Sequence, residues 1–314
     1  MLKTAFFGTS DKSTPILENI NSNTELLLCV TKSDRIIGRK KELKETMVKE
    51  WAKSAGIEVF EIEKLNSETR QKLISRLKEL SIEMGVVADF SFIIHEDIIS
   101  TPKYGLINIH FSRLPKYRGA SPVQHTILNG ETETSITFMK MTKGMDEGPL
   151  LKQVPYKLNG TETTESLYQQ LFELAGPSIS QVMKDYAEGR LPPEEQNHTL
   201  ATYCYSKTNP KSTLINKVDA KIDWSLPHSQ IERMIRAFNP WPIAWTTLEQ
   251  ICDAQLFDQM YLNPKKDKNY TLKIFEAKIN NNGKLEPKVL QVEGGTKMDI
   301  KDFLNGYFIK ADKD

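Results

Sequence analysis

The chain has 314 residues, of which 39% are hydrophobic and 26% charged, and its formal net charge is +1. Single cores seldom grow past roughly 250 to 300 residues, so this length predicts two domains. The composition is typical of an ordinary soluble protein, and the longest apolar runs fall well short of the ~18 residues that a membrane helix needs.

Strand-like and helix-like segments alternate in the first half of the chain, which favours a parallel sheet with crossover helices. The predicted strands are Thr4–Phe7, Leu26–Val30, Val59–Ile62, Met84–Ala88 and Leu106–His110. Helices are predicted around Thr14–Ile20, Glu45–Ser54 and Thr69–Leu80, where apolar residues recur at helical spacing. Neither a signal peptide nor a transit segment precedes the first strand, so we expect a cytoplasmic protein.

The pattern changes in the second half of the chain. Two more strands are predicted at Ile136–Met141 and Leu150–Tyr156, and a long helix at Leu167–Tyr186 closes the first domain. Gly189–His198 is polar, contains proline and lacks periodicity, which indicates a linker. Beyond it lie a helix at His228–Ala237 and β-rich runs at Ala244–Leu248, Thr271–Ile279 and Lys284–Val292. These runs predict a small domain of mainly antiparallel strands.

Two polar side chains interrupt the apolar run Gly105–His110 at alternate positions. Asn108 and His110 would therefore project from the same face at the carboxyl end of a strand, where open α/β sheets keep their chemistry. A carboxylate, Asp146, follows between Gly144 and Gly148. An amide donor, an imidazole and a carboxylate suit the attack of an amine on a carbonyl carbon.

Simpler interpretations of these residues remain open at this stage. Asn108 and His110 could be hydrogen-bonded residues of a half-buried sheet, and glycines around an aspartate are common in turns. Ser112 lacks the Gly-x-Ser-x-Gly surroundings of a nucleophile, so direct transfer is favoured over a covalent intermediate. The three cysteines and the other four histidines lack ligand spacing, and we expect no metal.

Positive charge is concentrated between Thr31 and Lys44, where six basic residues stand against two acidic ones. Such a cluster can bind phosphate, although it is more often simply a solvated surface. A second basic stretch between Tyr205 and Arg236 strengthens the first interpretation. Both interpretations stay open on charge alone.

The catalytic pattern resembles the 10-formyltetrahydrofolate-dependent formyltransferases, and the resemblance covers nearly the whole chain. The core motifs that carry it are Asn108–His110, Ser112–Pro115, Arg118-Gly119, Pro122–Gln124 and Met145–Gly148. The branch that formylates methionyl-tRNA is the most similar, through Phe7–Thr9, Thr31–Arg35, Gly38-Arg39, Ala220–Trp224 and Arg236–Pro242.

The resemblance implies a two-domain α/β protein. Residues 1–188 would form a Rossmann-like parallel-sheet domain for formyl transfer, followed by a linker at 189–208. Residues 209–314 would form a small OB-like β-barrel that binds tRNA. Only a short turn separates Ile279 from Lys284, where relatives carry another pair of strands, so we expect an incomplete barrel.

The resemblance also implies an activity and its residues. The formyl group would pass from 10-formyltetrahydrofolate to the amino group of methionine on initiator tRNA, in a monomer without metal. Asn108 would bind the oxyanion, His110 would move a proton, and Asp146 would hold His110. The residues expected at the folate are Ala88, Phe90, Ser112, Arg113, Leu114 and Pro115. Those expected at the tRNA are Arg35, Arg39, Lys40, Lys41, Lys207 and Arg236.

Two other functions stay open. A formyltransferase acting on a nucleotide-linked amino sugar would share the catalytic residues, although it would give the basic loop no role. A catalytically silent RNA-binding relative would arise if Phe111 and Arg113, which stand where the family has glycine and leucine, closed the folate pocket.

Overall fold

A computed structural model describes residues 1–37, 42–257 and 260–310 of the chain. The chain divides into two compact units. The first comprises 1–119, 133–157 and 168–203, and the second comprises 120–132, 158–167 and 204–314. Arg39, Lys40 and Lys41 lie outside the described residues.

The first unit is built on a seven-stranded sheet. Its strands are β1 (Lys3–Gly8), β2 (Glu25–Lys32), β5 (Glu58–Ile62), β6 (Met84–Ala88), β7 (Leu106–His110), β8 (Glu133–Lys140) and β9 (Leu150–Lys157). The sheet order is β5-β2-β1-β6-β7-β8-β9. The first five strands are parallel, β8 is antiparallel to β7, and β9 is antiparallel to β8. The parallel strands β1 and β6 are buried almost throughout, as a sheet covered on both faces requires.

Helices connect the parallel strands of this sheet. They are α1 (Thr14–Asn23), α2 (Met47–Ser54), α3 (Ser67–Glu79) and α4 (Glu96–Ile99), and most of α6 (Thr164–Ala187) also belongs to the first unit. Side chains cap two of them, since Thr46 accepts from the Lys49 amide and Asn66 from the Thr69 amide. A hairpin of β3 (Arg35–Ile37) and β4 (Glu42–Lys44) precedes α2.

The second unit combines helices with antiparallel strands. Its helices are α5 (Pro122–Leu128), α7 (His228–Ala237), α8 (Leu248–Asp253) and α9 (Ile300–Tyr307). Its strands are β10 (Ala244–Thr247), β11 (Met260–Leu262), β12 (Thr271–Ile279), β13 (Leu285–Val292), β14 (Met298–Asp299) and β15 (Phe308–Lys310). The apolar face of α7, with Ile231, Met234 and Ile235, packs into a core with Leu272 and Leu290 of the sheet.

The predicted fold class is confirmed, and each predicted strand and helix is present. The bounds of β6, β7, β12 and α7 are as predicted, and the ends of the other elements are shifted. One boundary was wrong: Leu248, predicted to end a strand, begins α8 because the Thr247 hydroxyl accepts from the Gln250 amide and caps a helix there. In the described part of the second unit the strands form the sheet β10-β12-β13-β14 and the pair β11-β15 rather than one closed barrel. The domain boundaries remain predictions. None of the helices described here is both long and apolar enough to span a membrane.

Candidate active site

Strand β7 places the predicted amide and imidazole side by side. It pairs with parallel β6 through Val87 and Asn108, and with antiparallel β8 through His110 and Thr137. Because residues two apart share one face of a strand, Asn108 and His110 project together. The imidazole is buried and the amide is half-buried, so the imidazole is shielded from water while the amide stays accessible.

A loop after β8 brings the carboxylate of Asp146 to these two side chains. Asn108 Nδ2 donates to Asp146 Oδ1 at 3.2 Å, and the Gly119 amide donates to Asp146 Oδ2 at 2.7 Å. Asp146 Oδ2 lies 3.6 Å from His110 Nδ1. The three residues that the sequence predicts as catalytic therefore meet at one place in the first unit.

Gly148, two positions after Asp146, leaves no space for a side chain. A Cβ at Gly148 would lie 1.9 Å from the carbonyl oxygen of Lys140, which no side chain tolerates. Asp146 itself has a φ of +48°, a left-handed conformation that aspartate adopts more readily than most residues. The loop is thus built to pass close to the end of β8 and to turn the carboxylate toward β7.

The two nitrogens of His110 have different partners. Nε2 lies 2.9 Å from the carbonyl oxygen of Tyr117. A carbonyl oxygen can only accept, so Nε2 carries the hydrogen and Nδ1 is the nitrogen that faces Asp146. Nδ1 can therefore receive a proton, and the carboxylate stands where it would stabilise the resulting charge. Tyr117 and Gly119 contribute only backbone groups, which the sequence analysis missed because such contacts leave no side-chain signal.

Residues predicted to contact folate divide by exposure. Arg113 is exposed and forms an ion pair with Glu133, and Pro115 and Phe90 are half-buried. The side chains of Ser112, Leu114 and Ala88 are buried instead. Ser112 Oγ donates to the carbonyl of Lys116 at 2.6 Å, so it shapes the loop after β7. Their predicted contact with folate remains a prediction.

Phe111 is a core residue. Its ring lies 4.5 Å from that of Phe172 and 5.6 Å from that of Tyr168, both on α6, and it is buried. Aromatic pairs at these separations contribute packing energy beyond their buried area. A phenylalanine here is therefore accounted for by packing in the first unit, and the interpretation that it closes a pocket loses its support.

The basic residues that the structure describes also differ in their exposure. Arg35 and Lys207 are exposed, as a contact with a nucleic acid requires. Arg236 is instead half-buried in the second unit, where Glu232 accepts from Nε at 2.6 Å and the carbonyl of Glu162 accepts from Nη1 at 2.9 Å. These internal partners account for Arg236 without tRNA, and its predicted tRNA contact remains a prediction.

An amide, an imidazole and a carboxylate that meet at the carboxyl end of a strand are groups suited to acid-base catalysis of group transfer. The chain belongs to the formyl transferase family. Residues 2–183 match the family model for formyl transferase, and residues 214–308 match that for the formyl transferase C-terminal domain. The resemblance that the motifs predict is thereby confirmed.

Relatives extend the similarity over nearly the whole length. The chain is 31% identical over 311 residues to methionyl-tRNA formyltransferase of Staphylococcus aureus strain MW2, covering 98% of this chain and 96% of the relative. Among solved structures, methionyl-tRNA formyltransferase from Clostridium thermocellum matches with a TM-score of 0.57 at 17% identity, covering 94% of this chain and all of that one.

An N-formyltransferase solved with a sugar nucleotide has a similar fold, with a comparable TM-score. The N-formyltransferase from Helicobacter canadensis, solved with folinic acid and dTDP-3-aminofucose, matches with a TM-score of 0.58 at 21% identity. This match covers 87% of this chain and 95% of that structure. Structural likeness at such identities shows the fold alone, so it does not separate the two substrate classes.

Proposed function

We propose that this enzyme transfers the formyl group of 10-formyltetrahydrofolate to the α-amino group of methionine esterified to initiator tRNA. The observation that carries the proposal is the convergence of Asn108, His110 and Asp146, within a chain that is similar over 98% of its length to a methionyl-tRNA formyltransferase. The match to the formyl transferase family and a solved structure of similar fold in complex with folinic acid support the folate donor. We also propose a cytoplasmic location, because the proposed substrate is a charged tRNA.

The geometry supports a direct transfer. The amine nitrogen attacks the formyl carbon, and the carbonyl oxygen becomes an oxyanion. Asn108 donates one amide hydrogen to Asp146, which leaves its second hydrogen to donate to that oxyanion. His110 Nδ1 takes the proton that the amine nitrogen loses, and Asp146 stabilises the imidazolium. The bond from the formyl carbon to N10 then breaks, and N10 receives a proton as tetrahydrofolate leaves.

The exposed basic residues favour tRNA over a sugar nucleotide. Arg35 lies in the β3-β4 hairpin and Lys207 follows the first unit, and both are exposed. Phosphate contacts by such residues supply affinity that does not depend on sequence and that position the nucleic acid. A small sugar nucleotide gives them no comparable role. We propose that a single copy of the chain binds both substrates.

The test is a formylation assay with parallel acceptors. The purified protein is incubated with 10-formyltetrahydrofolate and either charged initiator methionyl-tRNA, charged elongator tRNA or a nucleotide-linked amino sugar, and formylated amine is quantified. We expect product on initiator methionyl-tRNA that is lost in His110→Ala. Product on the amino sugar alone would transfer the assignment to that class, and tRNA binding without any product would favour a silent relative.

A further inference from the structure

We infer that Gln196 is a positioning residue of the active site: it fixes the loop that carries Asp146, although it lies in the segment whose sequence predicts a linker. This inference rests on the proposed function, in which Asp146 serves His110. All the groups involved belong to the first unit.

Gln196 uses both hydrogens of its amide on the Asp146 loop. Nε2 donates to the carbonyl oxygen of Asp146 at 2.9 Å and to that of Gly148 at 2.7 Å. The side chain is only 4% exposed, so water does not compete for these bonds. Because the two carbonyls lie on either side of Glu147, one amide fixes the backbone through the turn.

Arg118 fixes the orientation of that amide. Its Nη2 donates to Gln196 Oε1 at 2.7 Å and its Nε donates to the same oxygen at 3.2 Å. A guanidinium has only donors, so it selects the amide oxygen and turns the amide nitrogen toward the Asp146 loop. Arg118 is 1% exposed, and His198 Nδ1 and the Tyr203 hydroxyl each accept one of its remaining three hydrogens.

The same segment holds the backbone on the other side of the carboxylate. Thr202 accepts from the Arg118 amide at 2.8 Å through its carbonyl and from the Tyr117 amide at 2.9 Å through its hydroxyl. Tyr117 provides the carbonyl that binds His110, and Gly119 provides the amide that binds Asp146. Gln196 and Thr202 therefore bind the two backbone segments that flank His110 and Asp146: Asp146–Gly148 and Tyr117–Gly119.

The consequence of these hydrogen bonds is that they fix the distance between the Asp146 carboxylate and His110 Nδ1. The carboxylate oxygen is 3.6 Å from His110 Nδ1, which is close enough to tighten into a hydrogen bond when the ring gains a proton. A loop freed from Gln196 would let the carboxylate move, and a misplacement of about 1 Å costs on the order of a hundredfold in rate. Glutamine at this position thus acts on the rate of transfer rather than on substrate binding.

The test compares Gln196→Met and Gln196→Glu with Glu195→Gln, a change at the exposed neighbouring position. The Met variant fills the volume without hydrogen bonds. The Glu variant keeps an oxygen for Arg118 but presents no hydrogen to the carbonyls of Asp146 and Gly148. The Glu variant therefore keeps an acceptor for the buried Arg118 guanidinium, and it can still be assayed if the Met variant fails to fold. Each variant is also made in an Asp146→Asn background.

We expect both Gln196 variants to lower kcat about thirtyfold, with KM for both substrates changed less than about threefold. The Glu195 variant should match the parent protein. In the Asp146→Asn background the Gln196 variants should cause little further loss, because they act through that carboxylate. An equal loss with and without Asp146, or a rise in KM with kcat unchanged, would overturn the inference.

A second measurement does not need turnover. The Gly119 amide proton, hydrogen-bonded to Asp146, is followed by NMR in the full-length protein. We expect Gln196→Met and Asp146→Asn to move it in the same direction and Glu195→Gln to leave it in place. A resonance unmoved by the Gln196 variants would refute positioning even in an active enzyme. A moved resonance in a protein that formylates none of the acceptors would refute the proposed function instead.

Discussion

Two aspartates, one in each unit, show how a carboxylate that serves chemistry differs from one that serves structure. Asp146 accepts from one side-chain amide and one backbone amide, and its third neighbour is an imidazole 3.6 Å away that can gain or lose a proton. Asp219 is buried and accepts from Ser206, from Thr208 twice and from the Asn216 amide, at distances between 2.7 and 2.9 Å.

The two carboxylates differ in whether a neighbouring group changes its charge. The donors around Asp219 are hydroxyls and backbone amides, which neither gain nor lose a proton near neutral pH, so these hydrogen bonds do not change during the proposed transfer. Asp146 faces His110, whose charge changes during the proposed transfer. The bonds of Asp219 serve the shape of the loop at 206–219, which presents the exposed Lys207 between Ser206 and Thr208.

Removing the charge of Asp146 should have the largest effect. Asp146→Asn keeps the size of the side chain but cannot stabilise a protonated His110, and we expect kcat to fall on the order of a thousandfold. The melting temperature should fall modestly, since an amide nitrogen then faces one of the two donors, Asn108 Nδ2 or the Gly119 amide. Glu147→Gln in the same loop is the control and should keep its rate. A fall of less than tenfold in Asp146→Asn would mean that the carboxylate does not assist His110.

The corresponding change at Asp219 should affect stability instead. Asp219→Asn places an NH₂ group among donors in a buried site, and we expect unfolding to become easier by about 2 kcal/mol. Calorimetry would measure this loss, and kcat per folded molecule should be unchanged. Asp223→Asn, at an exposed carboxylate that also accepts from a serine hydroxyl, should cost much less. If Asp219→Asn were fully folded and still lost much of its kcat, Asp219 would serve catalysis as well, and its distinction from Asp146 would fail.

The contribution of Asp219 should depend on pH in a defined direction. Burial acts to raise the pKa of this carboxyl, but hydrogen bonds from Thr208, Asn216 and Ser206 outweigh it and the net pKa is lowered. A lowered pKa in the folded state means that the stabilisation is complete above the ordinary value of about 3.9 and is lost as the pH falls below it.

Denaturant unfolding of the parent protein and Asp219→Asn between pH 7 and pH 3 would measure this dependence. The difference in their free energies of unfolding should be constant down to about pH 5 and should shrink below about pH 4. A difference that grows as the pH falls would require a raised pKa and would contradict this account of the hydrogen bonds.

The smallest effect is expected at the residue that the Asp219 loop presents. Lys207→Gln should raise KM for tRNA about threefold with kcat unchanged, since one phosphate contact is lost. The difference should disappear as salt is raised toward 1 M. Lys184→Gln, at an exposed position on α6, is the matched loss of charge and should leave KM unchanged. Equal effects of the two variants would show only a dependence on net charge.

Much of the fold could be predicted because its signals are local. Alternation along Gly105–His110 predicts that Asn108 and His110 share a face, and the order of strands and helices predicts a parallel sheet. The short helices α5 and α8 were not predicted, since a single cap or one turn of apolar residues gives a weak pattern. The beginning of α8 at Leu248 depended on one hydroxyl of Thr247.

The sequence by itself determined which residue types stand at the strand end and which carboxylate is available to them. Tertiary structure alone decided how they are held. Asn108 meets Asp146 across 38 positions, and Arg118 meets Gln196 across 78. In the sequence, a polar residue outside any periodic pattern gives the same signal whether it lies in a linker or in a buried hydrogen-bond network. Packing between distant segments sets its hydrogen-bond partners. For that reason Gln196 became visible only in the folded chain.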